Sequence, residues 1–104
     1  IKMQPGIVGG RVNQILKPYS RVFPPDPAAI GSAMVGGVVV NNASGMNCGV
    51  HANSDRMLIS ARIILTDGTI LDTGDAASRE RFARLHPEFL TKIEALRDKV
   101  RADK

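Results

Sequence analysis

The segment FPPDP at residues 23–27 limits this chain more than any other stretch. Proline fixes φ near about −65° and has no backbone N–H, so Pro24, Pro25 and Pro27 exclude both a helix interior and a central strand. The backbone must pass here as a rigid, extended bend with few donors. By itself such a segment reads as a connector between two folded stretches.

A chain of 104 residues fits one domain and can bury a core without staples. Its 43% hydrophobic and 23% charged residues are those of an ordinary globular protein. Aromatics make up only 4% and tryptophan is absent, so stacking platforms for single strands are scarce. The net charge of +4 is dispersed, and the basic residues from Arg79 onward alternate with Glu80, Glu88, Glu94, Asp98 and Asp103. Such mixed charge marks solvated helix faces, and no nucleic-acid partner is expected. Cys48 is the only cysteine, which excludes an internal disulfide and suits a reducing compartment. No run approaches the roughly 20 apolar residues of a membrane span. The opening Ile-Lys-Met and the charged helical end read as a piece of a longer chain.

The residue pattern predicts α+β. Residues 1–4 are expected as a short strand stopped by Pro5-Gly6, followed by a helix carrying Ile7, Val8, Val12, Ile15 and Leu16 that ends at Lys17-Pro18. AAIGSAMVGG (28–37) reads as one or two helical turns that stop at the glycines, and VVVNN (38–42) as a brief buried strand. A loop over 43–55 precedes a hairpin of 57–65 and 69–73 with Asp67-Gly68 in the turn. Asp75 is placed to cap a helix over 76–85. Pro87 opens a last helix with Phe89, Leu90, Ile93, Leu96 and Val100 on one stripe, a core or docking face.

Small and polar residues crowd the valine run. Glycine lets a ligand reach the backbone and asparagine tolerates left-handed conformations, so Gly36-Gly37 and Asn41-Asn42-Ala43-Ser44-Gly45 could edge a site with an apolar floor. Two tight turns around a core strand account for the same residues, and composition leaves both readings open. Cys48 and His51 resemble half of a metal site, but only His86 remains as a further imidazole. Cys48 as a nucleophile would need a base and an oxyanion pocket, and a structural thiol is the commoner case.

Taken together, QPGIVGGRVNQIL, FPPDPAAIGSAMVGGVVVNNASG and GVHANSDRMLISARIILTDGTILDTGD resemble the second lobe of an FAD-binding domain of the vanillyl-alcohol oxidase (PCMH) type. Within that type they are similar to the D-lactate and glycolate dehydrogenase branch, above all its long members with an iron–sulfur module. The resemblance spans about residues 3–85. It implies a lobe over 1–85, a helix over 86–104 leading to the rest of the parent, and a first FAD lobe and a substrate lobe elsewhere in that parent.

By position, the resemblance implies that Pro25, Asp26 and Pro27 flank the flavin end of FAD. Ser32, Met34, Gly36 and Gly37 match the segment whose N–H groups face the pyrophosphate. Asn42, Ala43, Ser44 and Gly45 match the loop beside the ribityl chain and isoalloxazine, and Ile63 and Ile64 the strand that meets the adenine. Met34 stands where threonine is commoner, and His51-Ala52 where many members have Tyr-Gly. The implied activity is oxidation of a 2-hydroxy acid by hydride transfer to FAD, with an iron–sulfur cluster elsewhere in the parent; the alternative is a non-catalytic protein-interaction domain whose last helix docks a partner and whose glycine loops are purely structural. No catalytic residue is assigned here. The isolated piece is expected to be inactive and, with a former interface open, prone to self-association. The expected location is cytoplasmic, peripheral at the inner membrane face in the parent.

Overall fold

The computed structural model describes residues 1–46, 48, 49 and 51–103. The chain forms two compact units, Ile1–Leu58 and Ile59–Lys104. The first holds helix α1 (Gly9–Leu16), a 3₁₀ turn (Lys17–Tyr19), α2 (Val35–Val40) and α3 (Ser54–Met57). The second holds strands β1 (Arg62–Ile64) and β2 (Ile70–Asp72), then α4 (Ala76–Leu85) and α5 (Pro87–Ala102). Helices with one small antiparallel sheet make the chain α+β, as expected.

In the first unit two segments zip together backbone to backbone. Gly9 and Gly10 donate to the carbonyls of Ala33 and Ile30 at 3.0 and 2.9 Å, and Val35 and Gly36 donate to Ile7 and Pro5 at 2.9 Å each. Gly9 opens α1 because a Cβ there would overlap the Ile30 side chain. Val12, Phe23, Val35 and Val38 form the core, with Ile7, Leu16, Ile30 and Ala43 against it. Phe23 is fastened from its backbone, whose N–H donates to Asn13 Oδ1 at 2.7 Å. Pro25 is fully buried, so the rigid bend is part of this core rather than a bare connector.

Several expected boundaries move. Residues 1–4 form no strand; the nearest pairing is an isolated antiparallel bridge between Val8 and Met34. The expected strand 38–42 is instead the end of α2, which runs through Gly36 and Gly37 rather than stopping there. The reason is tertiary. The bonds to Pro5 and Ile7 fix the first turn, after which Val38 donates to Met34 at 3.0 Å and Asn41 to Gly37 at 3.1 Å, four residues back in each case. Burial follows the helical period: Val35 and Val38 are 7% and 4% exposed, whereas Val40 is 86% exposed.

In the second unit β1 pairs with β2 through Arg62–Asp72, Ile63–Leu71 and Ile64–Ile70. Pairing starts later than expected because Met57 belongs to α3. The turn is the three-residue form. Gly68 N–H closes onto the Leu65 carbonyl at 2.9 Å and Gly68 takes φ +84°, which glycine adopts without steric cost. Asp75 caps α4 by accepting from Ser78 N–H at 3.0 Å, and Ser78 Oγ in turn accepts from Asp72 N–H at 3.0 Å. Phe82 is buried and meets the Phe89 ring edge-on at 5.7 Å. No helix among the described residues is long and apolar enough to cross a membrane.

Candidate functional site

Because residues 34–41 wind as a helix, Met34, Gly37, Val38 and Asn41 fall at i, i+3, i+4 and i+7 and share a face. That face, with Pro27, Ala33 and Ala43, lines an open concavity of about 240 Å³. Pro27, Met34, Gly37 and Ala43 were expected at the site from sequence. Asn41 was expected as an edge of the site and the valine run as its apolar floor, whereas Ala33 was not singled out.

The glycines here do different things. A Cβ on Gly36 would lie 2.7 Å from Pro5 Cβ, and one on Gly45 would overlap the Asp26 carbonyl and stand 2.9 Å from its Cα. Both are bare so that the chain can approach itself. A Cβ on Gly37 meets nothing within 4 Å, so no packing contact among the described residues requires glycine there, and the residue lines the concavity. Among the described residues, the N–H groups of Met34 and Gly37 donate to no acceptor in the chain. Met34 sits opposite Val8 as the non-bonded pair of its bridge, a geometry that turns its N–H away from the partner strand. Ser32 and Gly36, by contrast, have their N–H groups bonded to Ala29 and Pro5, both at 2.9 Å.

The asparagines end the helix. Asn42 takes φ +46° and donates to Val39 at 3.0 Å, while Ala43 donates to Val38 at 2.8 Å. This pair of bonds around a left-handed residue is the Schellman stop. Asn42 Oδ1 also accepts from Asp55 N–H at 2.9 Å, supplying the first turn of α3 with an acceptor that Asn53 does not give. Buried Ser54 ties the same corner together through Oγ, 2.9 Å from the Ala43 carbonyl and 3.2 Å from that of Val38. Ser44 is exposed beside this corner, and Gly45 N–H donates to Cys48 Sγ at 2.9 Å. Cys48 is buried among backbone groups, which makes it a structural thiol, and no metal-holding group of His, Cys, Asp or Glu occurs among the described residues. Pro25 is fully buried, Asp26 passes against Gly45, and Ile63 and Ile64 lie on β1 in the second unit.

Residues 1–74 match the model of the family described as FAD binding domain. The chain belongs to the FAD-binding domain family. It is 32% identical over 73 residues to a D-2-hydroxyglutarate dehydrogenase of Haemophilus influenzae, covering 70% of this chain and 7% of the relative. It is 28% identical over 76 residues to the glycolate oxidase subunit GlcD of Escherichia coli K12, covering 73% of this chain and 15% of the relative. To a probable mitochondrial D-lactate dehydrogenase of Danio rerio it is 30% identical over 81 residues, covering 78% and 16%. The chain thus spans a small part of the curated relatives it matches. No solved structure matches it.

The open face fits the ligand class of an FAD-binding domain. A dinucleotide carries a pyrophosphate, which bare backbone N–H groups bind, and flat rings, which an apolar floor accepts.

Proposed function

We propose that this chain supplies one wall of the FAD site in a dehydrogenase that oxidises a 2-hydroxy acid. The observation that carries the reading lies inside the matched region: the face Met34–Gly37–Val38–Asn41 offers two uncommitted N–H groups beside a position kept free of a side chain. Met34 and Gly37 bind the pyrophosphate, with Ser32 and Gly36 shaping the segment around them. Pro25, Asp26 and Pro27 flank the flavin end. Asn42, Ala43, Ser44 and Gly45 line the ribityl side, where the helix stop holds the loop in place, and the main chain of Ile63 and Ile64 meets the adenine.

The substrate class comes from what the relatives' names share. D-2-Hydroxyglutarate, glycolate and D-lactate all carry a hydroxyl next to a carboxylate. When bound, FAD supplies a hydride acceptor, and the part of this chain is to hold and orient it. We place the proton-accepting base and the carboxylate-binding cation in a substrate lobe of the parent, with a first FAD lobe completing the cofactor site. An iron–sulfur cluster that takes the electrons onward lies outside these residues as well, since it needs several thiolates and Cys48 is the only cysteine. We place the parent in the cytoplasm, at the inner membrane face.

The test is amide NMR of the chain titrated with FAD and, separately, with riboflavin, which lacks the pyrophosphate. The Met34 and Gly37 amide protons are expected to move downfield with FAD and to stay in place with riboflavin. Half an enclosure leaves much of the ligand wet, so the affinity is expected to be weaker than about 10 μM. Unmoved Met34 and Gly37 amides at millimolar FAD would overturn the assignment.

A further inference from the structure

Helix α5 displays an apolar stripe that its own unit leaves about half exposed, with Phe89 meeting the Phe82 ring. Phe89, Ile93, Leu96 and Val100 are 49, 50, 58 and 60% exposed, and no residue of the helix is buried. Their spacing of four, three and four is that of heptad seam positions, and the stripe ends before Asp103, where the next seam residue would fall. Beyond Leu90 the seam is one residue wide, bordered by Lys92 and Lys99 on one side and Arg97 on the other. Among the described residues Arg97 pairs with its neighbour Asp98, an exposed pair at 2.9 Å that exchanges readily for another carboxylate. The acids Glu88, Glu94 and Asp98 fall at outer heptad positions, away from the seam.

This charge pattern chooses among occupants. In a parallel pair of copies Lys92 would face Arg97 of the other copy, and in an antiparallel pair the lysines would face each other. Both arrangements set like charges against one another, so a second copy is disfavoured. A membrane interface calls for a broad apolar face with aromatic anchors, and this seam is narrow in a chain without tryptophan. We infer that α5 docks a partner helix whose own apolar seam is bordered by acidic residues. Seam packs on seam, and Lys92, Arg97 and Lys99 meet carboxylates along both borders.

The probe is a 21-residue synthetic helix with leucine at the seam and glutamate at the flanking positions, beside a twin with lysine in place of glutamate. Titrated into the 104-residue chain, the glutamate peptide is expected to bind at least tenfold more tightly than the lysine peptide. The preference should shrink as salt rises. The double variant Lys92→Glu, Lys99→Glu is expected to reverse the order of the two peptides. Ile93→Ser with Leu96→Ser should abolish binding of both while the circular dichroism of the rest of the chain is kept. Equal affinities, binding of neither peptide, a dimer of the chain that Ile93→Ser with Leu96→Ser dissolves, or tighter retention on phosphatidylglycerol vesicles than on the glutamate peptide would each overturn the inference. None of these readouts involves FAD, so the outcome is independent of the cofactor assignment.

Discussion

Two glycines eight positions apart show how one residue type serves opposite needs. Gly45 is bare because the Asp26 carbonyl occupies the space of its Cβ, whereas the space beside Gly37 is open. Gly45→Ala must therefore push backbone against backbone, and a loss of about 2–4 kcal/mol is expected from urea unfolding followed by circular dichroism. Gly37→Ala meets no atom and sits in a helix, where replacing glycine gains up to about 1 kcal/mol. Its expected phenotype is unchanged or raised stability with weaker FAD binding, and Gly37→Leu in the full-length parent should lose the bound flavin altogether. An unstable Gly37→Ala would mean that its bareness is structural after all. Asn42 makes a third case, because its left-handed φ and its bond to Asp55 both favour asparagine. Asn42→Ala is expected to cost about 1–2 kcal/mol through loss of the helix stop and the cap, whereas Asn42→Gly restores the backbone freedom and leaves only the cap missing.

At the scale of elements, what could be read in advance depended on whether local chemistry or a distant segment decides the shape. The Asp75 cap, the Asp67-Gly68 turn and the Pro87 start were legible because each is settled within four residues of chain. The VVV run was not. Its β-branched residues favour a strand, and α2 winds only because Pro5 and Ile7, some thirty residues earlier, hold its first turn. The same misreading hid the place of Val38 beside Gly37, since a strand would have put Gly37 and Asn41 on one face but Val38 on the other. Close approaches such as Gly36 to Pro5 were equally invisible, as glycine in a sequence does not say what comes near it.

The hairpin turn carries a pH dependence of its own. Asp67 Oδ1 accepts from Thr69 N–H at 2.8 Å, and His86 Nε2 lies 3.5 Å from the other oxygen and 3.1 Å from Thr69 Oγ1. The Thr69 backbone bond first, then the Thr69 side chain and the His86 charge, hold the Asp67 carboxyl below its ordinary 3.8. A lowered folded value means that this stabilisation is present above pH 3.8 and disappears as pH falls through the folded value. Asp67→Asn keeps an acceptor for Thr69 N–H but removes the charge. The stability gap between the two proteins is therefore expected to close as pH falls below 3.8, as followed by thermal melts.

Across the whole molecule, burial is distributed unevenly, and local stability should follow it. Val12, Phe23, Val35 and Val38 form a closed core in the first unit, while residues 91–103 of the second are all exposed. A helix of this length is marginal in water without a packed face, so its backbone bonds open without disturbing the core. Hydrogen exchange is expected to rank the Val12 and Val38 amides among the slowest and those of residues 94–102 among the fastest, within about a hundredfold of an unstructured chain. The same measurement tests the two proposed faces separately. FAD should slow exchange around Met34 and Gly37 and leave the last helix unchanged, whereas the glutamate-flanked peptide should protect residues 90–101 and leave Met34 and Gly37 unchanged. If FAD protected the last helix, or the peptide Met34 and Gly37, the assignment of that ligand to its face would fail.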